Sequence, residues 1–386
     1  MHGHIYRKRR PDGRYSRWYA VLDLPPDPNG KRRQRTTSHD TRREAQAWLA
    51  QTSQELRAGQ VYDTKVTVAD YLRSWLAGKQ ALRPSTRLEY TRHITQLFIP
   101  ELGHLRLADL RAHHIEQVFH RITAGNPRRE RPIGARTMRR IYATLNSALN
   151  TAVHRGLIRR NPAATVELPT PVLVTSRVWN SHQVAAFLTG TTGDRLHVLY
   201  RLLVLTGLRR GEAVGLQWGD LNLTTATLNV NRQLTTVNGV LHVGAPKSNA
   251  GTRTLALDHS TLDLLRLRHR RARIYHLKDL DEDFDRRLVF TRTDGHPLSP
   301  AYVSAHFITL TKHLGLPVIR LHDLRHTSAS LGLADGENLL QISRRLGHST
   351  ITLTADTYTH VTPEAAHQSA QHLADLIDNR TEGTSR

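Results

Sequence analysis

The chain has 386 residues, enough for about two or three domains that each bury a hydrophobic core. Its 55 lysines and arginines against 33 aspartates and glutamates give a net charge of +22, which indicates a polyanion, and nucleic acid first of all, as its partner. The absence of cysteine excludes disulfides, thiolate zinc sites and a cysteine nucleophile. No apolar run approaches the roughly 20 residues of a membrane span, and the start MHGHIYRKRR lacks the apolar core of a signal peptide, so we expect a cytoplasmic protein that does not enter a membrane.

Residues 1–60 are predicted to form a small three-stranded sheet followed by a helix. The segment from Tyr15 to Leu24 alternates like a half-buried strand, and a basic strand follows at residues 31–38. Thr41 and Glu44 form the T-x-x-E pattern that starts a helix. The number of arginines on so small a unit favours an accessory DNA-binding module over a solvated basic face. The arginines concerned are Arg7, Arg9, Arg10, Arg14, Arg17, Arg32, Arg33 and Arg35.

Residues 64–168 are predicted to form a bundle of four amphipathic helices. Thr67 is expected to cap the first helix and Ser85 to open the second, while apolar stripes around Ile115 and Leu145 mark the third and fourth. The polar faces are rich in arginine, which is either solvated or in contact with DNA phosphates, and the paired arginines favour contact. The arginines concerned are Arg128, Arg129, Arg136, Arg139 and Arg140. A proline-containing linker at residues 169–176 would let the flanking domains close around DNA as a clamp.

Residues 177–362 mix helices with short strands. Ser181 is predicted to cap one helix, and an apolar helix from Asp194 to Gly207 is expected at the centre of this domain. Lys247 is expected at the tip of a hairpin. The predicted strands lie at residues 227–232, 240–244, 252–257 and 288–291. The fold class expected for the whole chain is multidomain, mainly α with small antiparallel sheets (α+β).

The segment from Leu321 to Val361 organises the predicted chemistry. We expect a single helical segment in which His322 and Arg325, one turn apart, project from the same face, followed by His348 and, ten residues later, Tyr358. Attack on a phosphodiester adds negative charge to the oxygens on phosphorus, and a guanidinium group presents two parallel donors to such oxygens. These residue types therefore suit chemistry on a phosphate.

Four sequence boxes occur in the order TGLRRGEAVGLQWGDL, PKSNAGTRTLAL, LHDLRHTSAS and LGHSTITLTADTYTHV. Together they resemble the signature boxes of the tyrosine recombinases, the phage-integrase family of site-specific DNA recombinases, strongly over residues 180–361. The helical bundle is similar to the core-binding domain of that family, and residues 1–60 resemble its arm-type DNA-binding domain more weakly. The resemblance implies a catalytic domain at residues 177–362, with Tyr358 as the nucleophile that forms a 3′-phosphotyrosine intermediate. The activating residues that it implies are Arg209, Lys247, His322, Arg325 and His348.

The residue types fit these roles, although each has a plainer interpretation. A tyrosine hydroxyl, with a pKa of about 10, needs a base, for which His322 is the candidate. Lys247 can protonate the leaving 5′-oxygen because lysine, unlike arginine, gives up a proton. Alternatively, Arg209 pairs with Glu212 on its own helix. The H-x-x-x-H spacing that begins at His322 also imitates a zinc-binding helix, but no box supplies a third ligand, so we expect no metal and no cofactor.

The resemblance also implies partners and leaves three functional classes. The implied partner is double-stranded DNA with core and arm-type attachment sites, on which a homotetramer assembles with possible accessory DNA-bending or excision factors. A tail helix at residues 363–386 is expected to dock on a neighbouring protomer. A site-specific recombinase that integrates or excises a phage, plasmid or conjugative element fits the added N-terminal module best. The alternatives are a type IB topoisomerase-like or hairpin-end-resolving enzyme, and a catalytically inactive DNA-binding regulator of the same fold.

Overall fold

The computed structural model describes residues 3–9, 15–24, 32–57, 65–124, 133–171, 177–246, 249–275, 283–352 and 371. The chain divides into two compact units, Met1–Leu173 and Val174–Arg386. Each unit has its own hydrophobic core. Both are mainly helical with small antiparallel sheets, which confirms the predicted fold class. Within the described ranges, no helix combines the length and the apolar character needed to cross a membrane.

The first unit begins with an antiparallel sheet of order β1-β2-β3, whose strands are Gly3–Arg9, Tyr15–Leu24 and Arg33–His39. The middle of β2 is buried and packs against helix α1 (Arg42–Arg57). The predicted cap of α1 is confirmed. The Glu44 amide donates to Thr41 Oγ1 (3.2 Å), and the Thr41 amide donates to Glu44 Oε2 (3.3 Å), so two amide groups that the helix leaves unpaired are satisfied reciprocally.

The rest of the first unit is the predicted helical bundle. Its helices are α2 (Val68–Ala77), α3 (Pro84–His93), α4 (Ile99–Leu102), α5 (Ala112–Ala124) and α6 (Ala135–His154). Thr67 caps α2 as predicted, because its Oγ1 accepts the Asp70 amide (3.1 Å). α3 begins at Pro84 rather than Ser85, since the fixed φ of proline suits a first helical turn. A π-helical turn, Ile94–Phe98, carries α3 directly into α4.

The second unit is built around a central apolar helix, as predicted. Its helices are α7 (Ser181–Gly190), α8 (His197–Thr206), α9 (Arg210–Val214), α10 (His259–Tyr275), α11 (Pro300–His313), α12 (Asp323–Ala334) and α13 (Leu339–Leu346). Leu199, Tyr200 and Leu202 of α8 are fully buried. Two predicted helix starts are wrong. Asn180, not Ser181, caps α7 by accepting the Gln183 amide (2.9 Å). α8 begins at His197 because Asp194 accepts the Leu196 amide (2.7 Å) and holds a turn before the helix.

The strands of the second unit form two small sheets. One has the order β4-β5-β8 (Leu221–Asn222, Thr227–Val230 and Arg253–Ala256), and the other pairs β6 with β7 (Gln233–Val237 and Val240–Gly244). The strand predicted at 227–232 is β5, which ends at Val230, and β6 follows it from Gln233 in the other sheet. Because β7 pairs with β6 and β8 with β5, the stretch that contains Lys247 connects two sheets, and its prediction as a hairpin tip is wrong. Residues 288–291 make isolated bridges rather than the predicted strand.

The segment from Leu321 onward contains two helices rather than the single helical segment predicted. α12 ends at Ala334, and the turn that follows uses a φ of +84° at Gly336, which a residue with a side chain rarely adopts. Asn338 then caps α13, because its Oδ1 accepts the Leu340 amide (2.8 Å). His322 lies at the cap position of α12 rather than inside it. Residues 353–361, Tyr358 among them, lie outside the described residues, as does the predicted tail helix apart from residue 371.

The two cores predict separate effects of core mutations. Leu145 is fully buried in the first unit, so Leu145→Ala should lower the free energy of unfolding of that unit by about 3 kcal/mol through lost burial and the cavity left behind. In hydrogen exchange of the full chain, amides of α2, α5 and α6 should lose protection while those of α8 and α11 keep it. Leu199→Ala, in the other core, should give the reverse pattern. Equal loss of protection in both units for either variant would contradict this prediction.

Candidate active site

Arg209 is held at the start of α9 by the way α8 ends. Gly207 stops α8 with a φ of +67°, and a Cβ atom there would lie 2.4 Å from Leu346 Cδ2, so this position requires glycine. Arg209 then takes the cap position of α9, where its backbone amide donates to Glu212 Oε2 (2.9 Å). The capping interaction that starts this short helix therefore also fixes the backbone of Arg209.

The side chain of Arg209 pairs with Glu212, which confirms the plainer interpretation of that arginine. Arg209 Nη1 donates to Glu212 Oε1 (2.7 Å), and Nη2 donates to the carbonyl oxygen of Gly347 (3.0 Å). A guanidinium group has five N–H donors, so these two bonds orient it without using all of them. The side chain is 25% exposed and remains accessible to a bound anion. Pairing with Glu212 and binding a phosphate are therefore compatible.

Glu212 is completely buried, yet it is charged. Burial by itself would raise the pKa of its carboxyl group, but Arg253 and Arg209 outweigh that effect and the pKa is lowered. Arg253 Nη2 donates to Glu212 Oε2 (3.0 Å), so two guanidinium groups share one carboxylate. The group as a whole keeps an excess of positive charge.

Arg325 is held by the same glycine that ends α8. It is only 4% exposed, and its Nη1 donates to the carbonyl oxygen of Gly207 (2.7 Å). α12 contacts α8, and this bond ties the first turn of α12 to the end of that central helix. The turn at residues 207–209 therefore connects the two candidate arginines of the first and third sequence boxes: Gly207 binds Arg325, and Arg209 itself ends the turn.

His348 is positioned by the end of α13. The Gly347 amide donates to the Arg344 carbonyl (3.0 Å) and the His348 amide to the Ser343 carbonyl (3.1 Å), with Gly347 at a φ of +67°. This is the Schellman arrangement that ends many helices. Since the carbonyl of Gly347 also accepts the bond from Arg209 Nη2, His348 follows directly after the residue that holds Arg209.

The histidines of the cluster are neutral at pH 7. Burial, followed by the charges of Arg325 and Arg209, lowers the pKa of His348 to about 4. Loss of water around the ring, followed by the charges of His326 and Arg325, lowers the pKa of His322 to about 4 as well, although the exposure of this side chain lets solvent screen part of the effect. The ring of His326 lies 5.4 Å from that of His322, edge to face. These electrostatic couplings place the histidines and the two arginines in one site.

The structure thus brings together Arg209, His322, Arg325 and His348. Lys247 and Tyr358 lie outside the described residues. The segment after Lys247 does reach the cluster, because a Cβ atom at Gly347 would lie 2.7 Å from the carbonyl oxygen of Ala250. The described residues contain no group of three histidine, aspartate or glutamate side chains placed to hold a metal ion.

The predicted DNA-binding arginines lie in the first unit and fall into three groups. Those outside the described residues are Arg10, Arg14, Arg128 and Arg129. A second group makes contacts inside the N-terminal sheet module. It includes Arg7, which donates to the Ser16 carbonyl (2.9 Å), Arg17, paired with Asp40 (2.6 Å), Arg32, paired with Asp23 (2.9 Å), and Arg35, which lies 5.7 Å from the centre of the Trp48 ring. The remaining arginines are Arg9, Arg33, Arg136, Arg139 and Arg140, of which Arg140 pairs with Glu89 and Arg139 donates to the Pro169 carbonyl (3.3 Å). Most of these side chains reach the solvent, as contact with DNA requires.

Comparison with known families gives consistent matches along both units. The phage integrase family matches residues 181–365, an arm DNA-binding domain matches residues 4–56, and the N-terminal SAM-like domain of phage integrases matches residues 67–122. The chain belongs to the phage integrase family. It is therefore a tyrosine recombinase, a site-specific DNA recombinase of the kind known as the integrases of mobile elements, and the resemblance stated from the sequence boxes is confirmed.

Individual relatives of this integrase support the same conclusion. A tyrosine recombinase XerC-like protein of Caldanaerobacter subterraneus subsp. tengcongensis is 25% identical over 93% of this chain and 96% of its own length. The ICEBs1 integrase of Bacillus subtilis is 27% identical over 74% and 75%, respectively. Two solved structures share the fold at 20% identity. The Tn1549 transposon integrase in complex with a circular intermediate DNA has a TM-score of 0.66 over 80% of this chain and 100% of its own, and a lambda integrase tetramer bound to a Holliday junction has one of 0.54 over 90% and 96%.

Part of the cluster in this recombinase is not visible in the sequence. His326 is the second histidine of the H-x-x-x-H spacing that imitates a zinc site, and no motif indicates a role for Arg253 or for the carbonyl of Gly347. Arg253 stands in the second sequence box, so its arginine was visible, but no spacing rule shows that a strand residue shares a carboxylate with Arg209. A contact through a backbone carbonyl leaves no trace in side-chain patterns.

The close approach of Gly347 to Ala250 predicts a specific mutational effect. Gly347→Ala should lower both stability and DNA cleavage, because alanine is strained by about 1–2 kcal/mol at a positive φ and its Cβ would also meet Ala250 O and Arg253. Gly336→Ala is the matched control: its φ is +84°, but nothing lies within 4 Å of a Cβ there. Chemical denaturation and a cleavage assay should show comparable backbone penalties and a cleavage defect for Gly347→Ala alone. Equal cleavage by both variants would argue against the close contact.

The lowered pKa of His348 predicts how stability depends on pH. The pKa of about 4 lies below the ordinary value of 6.5, so the unfolded chain binds this proton more readily between those values. The free energy of unfolding should therefore be at its full value above pH 6.5 and should fall as the pH drops from 6.5 towards 4. Urea midpoints at several pH values should show this fall, and His348→Asn should have a shallower slope. An unchanged slope in the variant would contradict the assignment.

Proposed function

We propose that Arg209, Arg325 and His348 bind the scissile phosphate of DNA and that Tyr358 attacks it. The observation that supports this proposal is the joining of the three groups through two glycine carbonyls: Gly207 holds Arg325, and Gly347 holds Arg209 next to His348. Two guanidinium groups and a neutral imidazole form a set of donors with excess positive charge. Such a set matches the charge that builds up on a phosphate under attack.

The donors act by stabilising the five-coordinate phosphorus of the transition state. Arginine keeps its charge at any working pH and presents its N–H groups in a rigid fork, so Arg209 and Arg325 need no proton transfer to be effective. By analogy with the loss of donors from oxyanion holes, each contributes about 3–4 kcal/mol to the transition state. Neutral His348 adds a hydrogen bond from its ring N–H group to the same oxygens.

The proposed reaction is a reversible transesterification. Tyr358 Oη forms a bond to phosphorus while its proton passes to His322, whose neutral ring is in the form that accepts one. The bond from phosphorus to the 5′-oxygen breaks, and Lys247 gives that oxygen a proton. The product is a 3′-phosphotyrosine link that conserves the energy of the broken bond. The 5′-hydroxyl of a partner strand can therefore attack the link and rejoin DNA without ATP.

The assignments to domains and partners are part of this proposal. We assign arm-type sites to residues 1–60 and core sites to residues 64–168 together with residues 177–362, with a linker at 169–176. The lambda integrase was solved as a tetramer on a Holliday junction, and the shared fold supports a homotetramer of this chain on DNA. The tail at 363–386 is proposed to dock on a neighbouring protomer, and the reaction on cellular DNA places the protein in the cytoplasm. The relatives are recombinases and integrases, so a relaxing enzyme, a hairpin-end resolvase and an inactive regulator are not favoured.

A nicked suicide substrate tests the proposal. On a duplex with a nick beside the cleavage point, the protein should form a covalent adduct with DNA, because the short strand diffuses away and prevents rejoining. Tyr358→Phe should abolish the adduct, since phenylalanine lacks the nucleophile. Tyr302→Phe, an exposed tyrosine on α11, should form it at the parent rate.

Strand exchange distinguishes the recombinase from the other enzymes. Joining of strands from two intact duplexes should be observed with the parent protein, whereas a relaxing enzyme would cleave and reseal only within one duplex. An adduct that persists in Tyr358→Phe would overturn the assignment of the nucleophile. Strong inhibition by EDTA would overturn the metal-independent mechanism.

A further inference from the structure

Arg253, the first residue of β8, is a nearly buried cation with three separate partners. Its side chain is 7% exposed. Nη2 donates to Glu212 Oε2 (3.0 Å), Nε donates to the carbonyl of Arg345 (2.7 Å), and Nη1 donates to the carbonyl of Gly251 (2.8 Å). The bonds come from the three nitrogens of one planar group, so the guanidinium cannot rotate without breaking at least one of them.

The first bond acts on Arg209 through their common carboxylate. Glu212 Oε1 accepts from Arg209, and Oε2 accepts from Arg253. A carboxylate shared in this way cannot neutralise either guanidinium completely. Without Arg253, the single negative charge of Glu212 would face Arg209 alone in a fully buried position, where opposite charges attract strongly. Arg253 therefore leaves Arg209 with positive charge to offer to a phosphate and keeps the orienting carboxylate in place.

The second bond acts on His348 through the end of α13. The carbonyl of Arg345 is among those that a helix leaves unpaired at its C-terminus, and Arg253 satisfies it. Two residues further on, a Cβ atom at Gly347 would lie 3.1 Å from Arg253 Nη1, so this turn packs directly on the guanidinium. Gly347 in turn accepts the bond from Arg209 and precedes His348. A closed circuit results, which runs from Arg253 through Glu212, Arg209 and Gly347 back to Arg253.

The third bond acts on the chain that follows Lys247. Ala250 and Gly251 come three and four positions after that lysine, respectively. The carbonyl of Gly251 accepts from Arg253, and the carbonyl of Ala250 faces Gly347. The three sequence boxes that lie outside α12 therefore meet at one side chain.

We infer that Arg253 is a positioning residue for DNA cleavage, which holds Arg209 and His348 in register while it prevents Glu212 from neutralising Arg209. This inference rests on the proposed function of the cluster. At 7% exposure Arg253 has little surface to offer to DNA, so its effect on the reaction passes through its neighbours rather than through contact with the substrate.

The test compares Arg253→Gln with a matched variant elsewhere in the second unit. Arg232 also pairs with a buried carboxylate, that of Asp220, which likewise accepts a helix-capping amide, from Gln217 (2.9 Å), but it has no bond to the cluster. On the suicide substrate, Arg253→Gln should form the covalent adduct about 100-fold more slowly, comparable to the loss of one transition-state donor. Arg232→Gln should react within about threefold of the parent rate, since Arg232 bonds to Asp220 and is independent of the groups proposed to bind the phosphate. Affinity for the core DNA should change by no more than about twofold in either variant, because Arg253 is nearly buried and Arg232 is paired with a buried carboxylate.

A double-mutant cycle separates positioning from a general loss of structure. If Arg253 acts in part through Arg209, then Arg253→Gln should cost clearly less than its roughly 100-fold parent effect when Arg209 is already lysine, because only its effect through His348 remains. If the rate losses of the two single variants multiply in the double variant, the inference is overturned. Arg253→Lys keeps the charge and loses the three-way geometry, so it should fold normally and react at an intermediate rate. A parent rate for both Arg253 variants would also overturn it.

Failure of the underlying function gives a different result. If the parent protein forms no adduct, or if Tyr358→Phe still forms one, the proposed reaction falls, and the role of Arg253 in it falls with it. If the parent forms an adduct that depends on Tyr358 and Arg253→Gln forms it equally fast, the reaction stands and only the positioning role is refuted.

Discussion

The carboxylate of Glu212, shared between two guanidinium groups in a fully buried position, is the interaction on which the rest of the site depends. A buried ion pair contributes little to stability by itself, because the loss of hydration offsets most of the attraction, but removal of one partner is costly. Here one carboxylate orients two guanidinium groups, so neither cation is fully neutralised. The sharing converts a structural ion pair into a source of positive charge that is fixed in direction.

The protonation states of the histidines also determine where the positive charge of the cluster resides. His348 and His322 are neutral because burial of the rings, followed by the positive charges around them, lowers the pKa of both. The positive charge of the cluster therefore resides on arginine, which does not release protons, while the histidines keep their ability to donate a hydrogen bond or to accept a proton. The two kinds of residue are not interchangeable: one supplies a fixed field, and the other is poised for proton transfer.

The sequence predicted the components of this site better than their arrangement. Helical periodicity and the T-x-x-E and threonine caps placed α1 and α2, because these signals act within one turn of the chain. The four boxes identified the family and the residues Arg209, His322, Arg325 and His348. Two kinds of error remain. Local signals misplace the starts of α7 and α8 and miss the break at Gly336, because a single glycine in a helical pattern is often tolerated. Long-range pairing is the second kind, since the sequence predicts a hairpin around Lys247 where β7 pairs with β6 and β8 with β5. The link from Arg253 to Glu212 has no local pattern at all.

The bonds that assemble the cluster join parts of the chain that are far apart in sequence. Arg209 reaches Gly347 across 138 positions, and Arg325 reaches Gly207 across 118. Contacts of such long range form late in folding, because the entropy of closing a large loop is lost before they can compensate for it. During synthesis, Arg325 and Gly347 leave the ribosome well after Arg209. A growing or clipped chain that ends before residue 325 therefore has only Arg209 of the three proposed phosphate donors, so cleavage of DNA should begin only after residues 325–348 have been made.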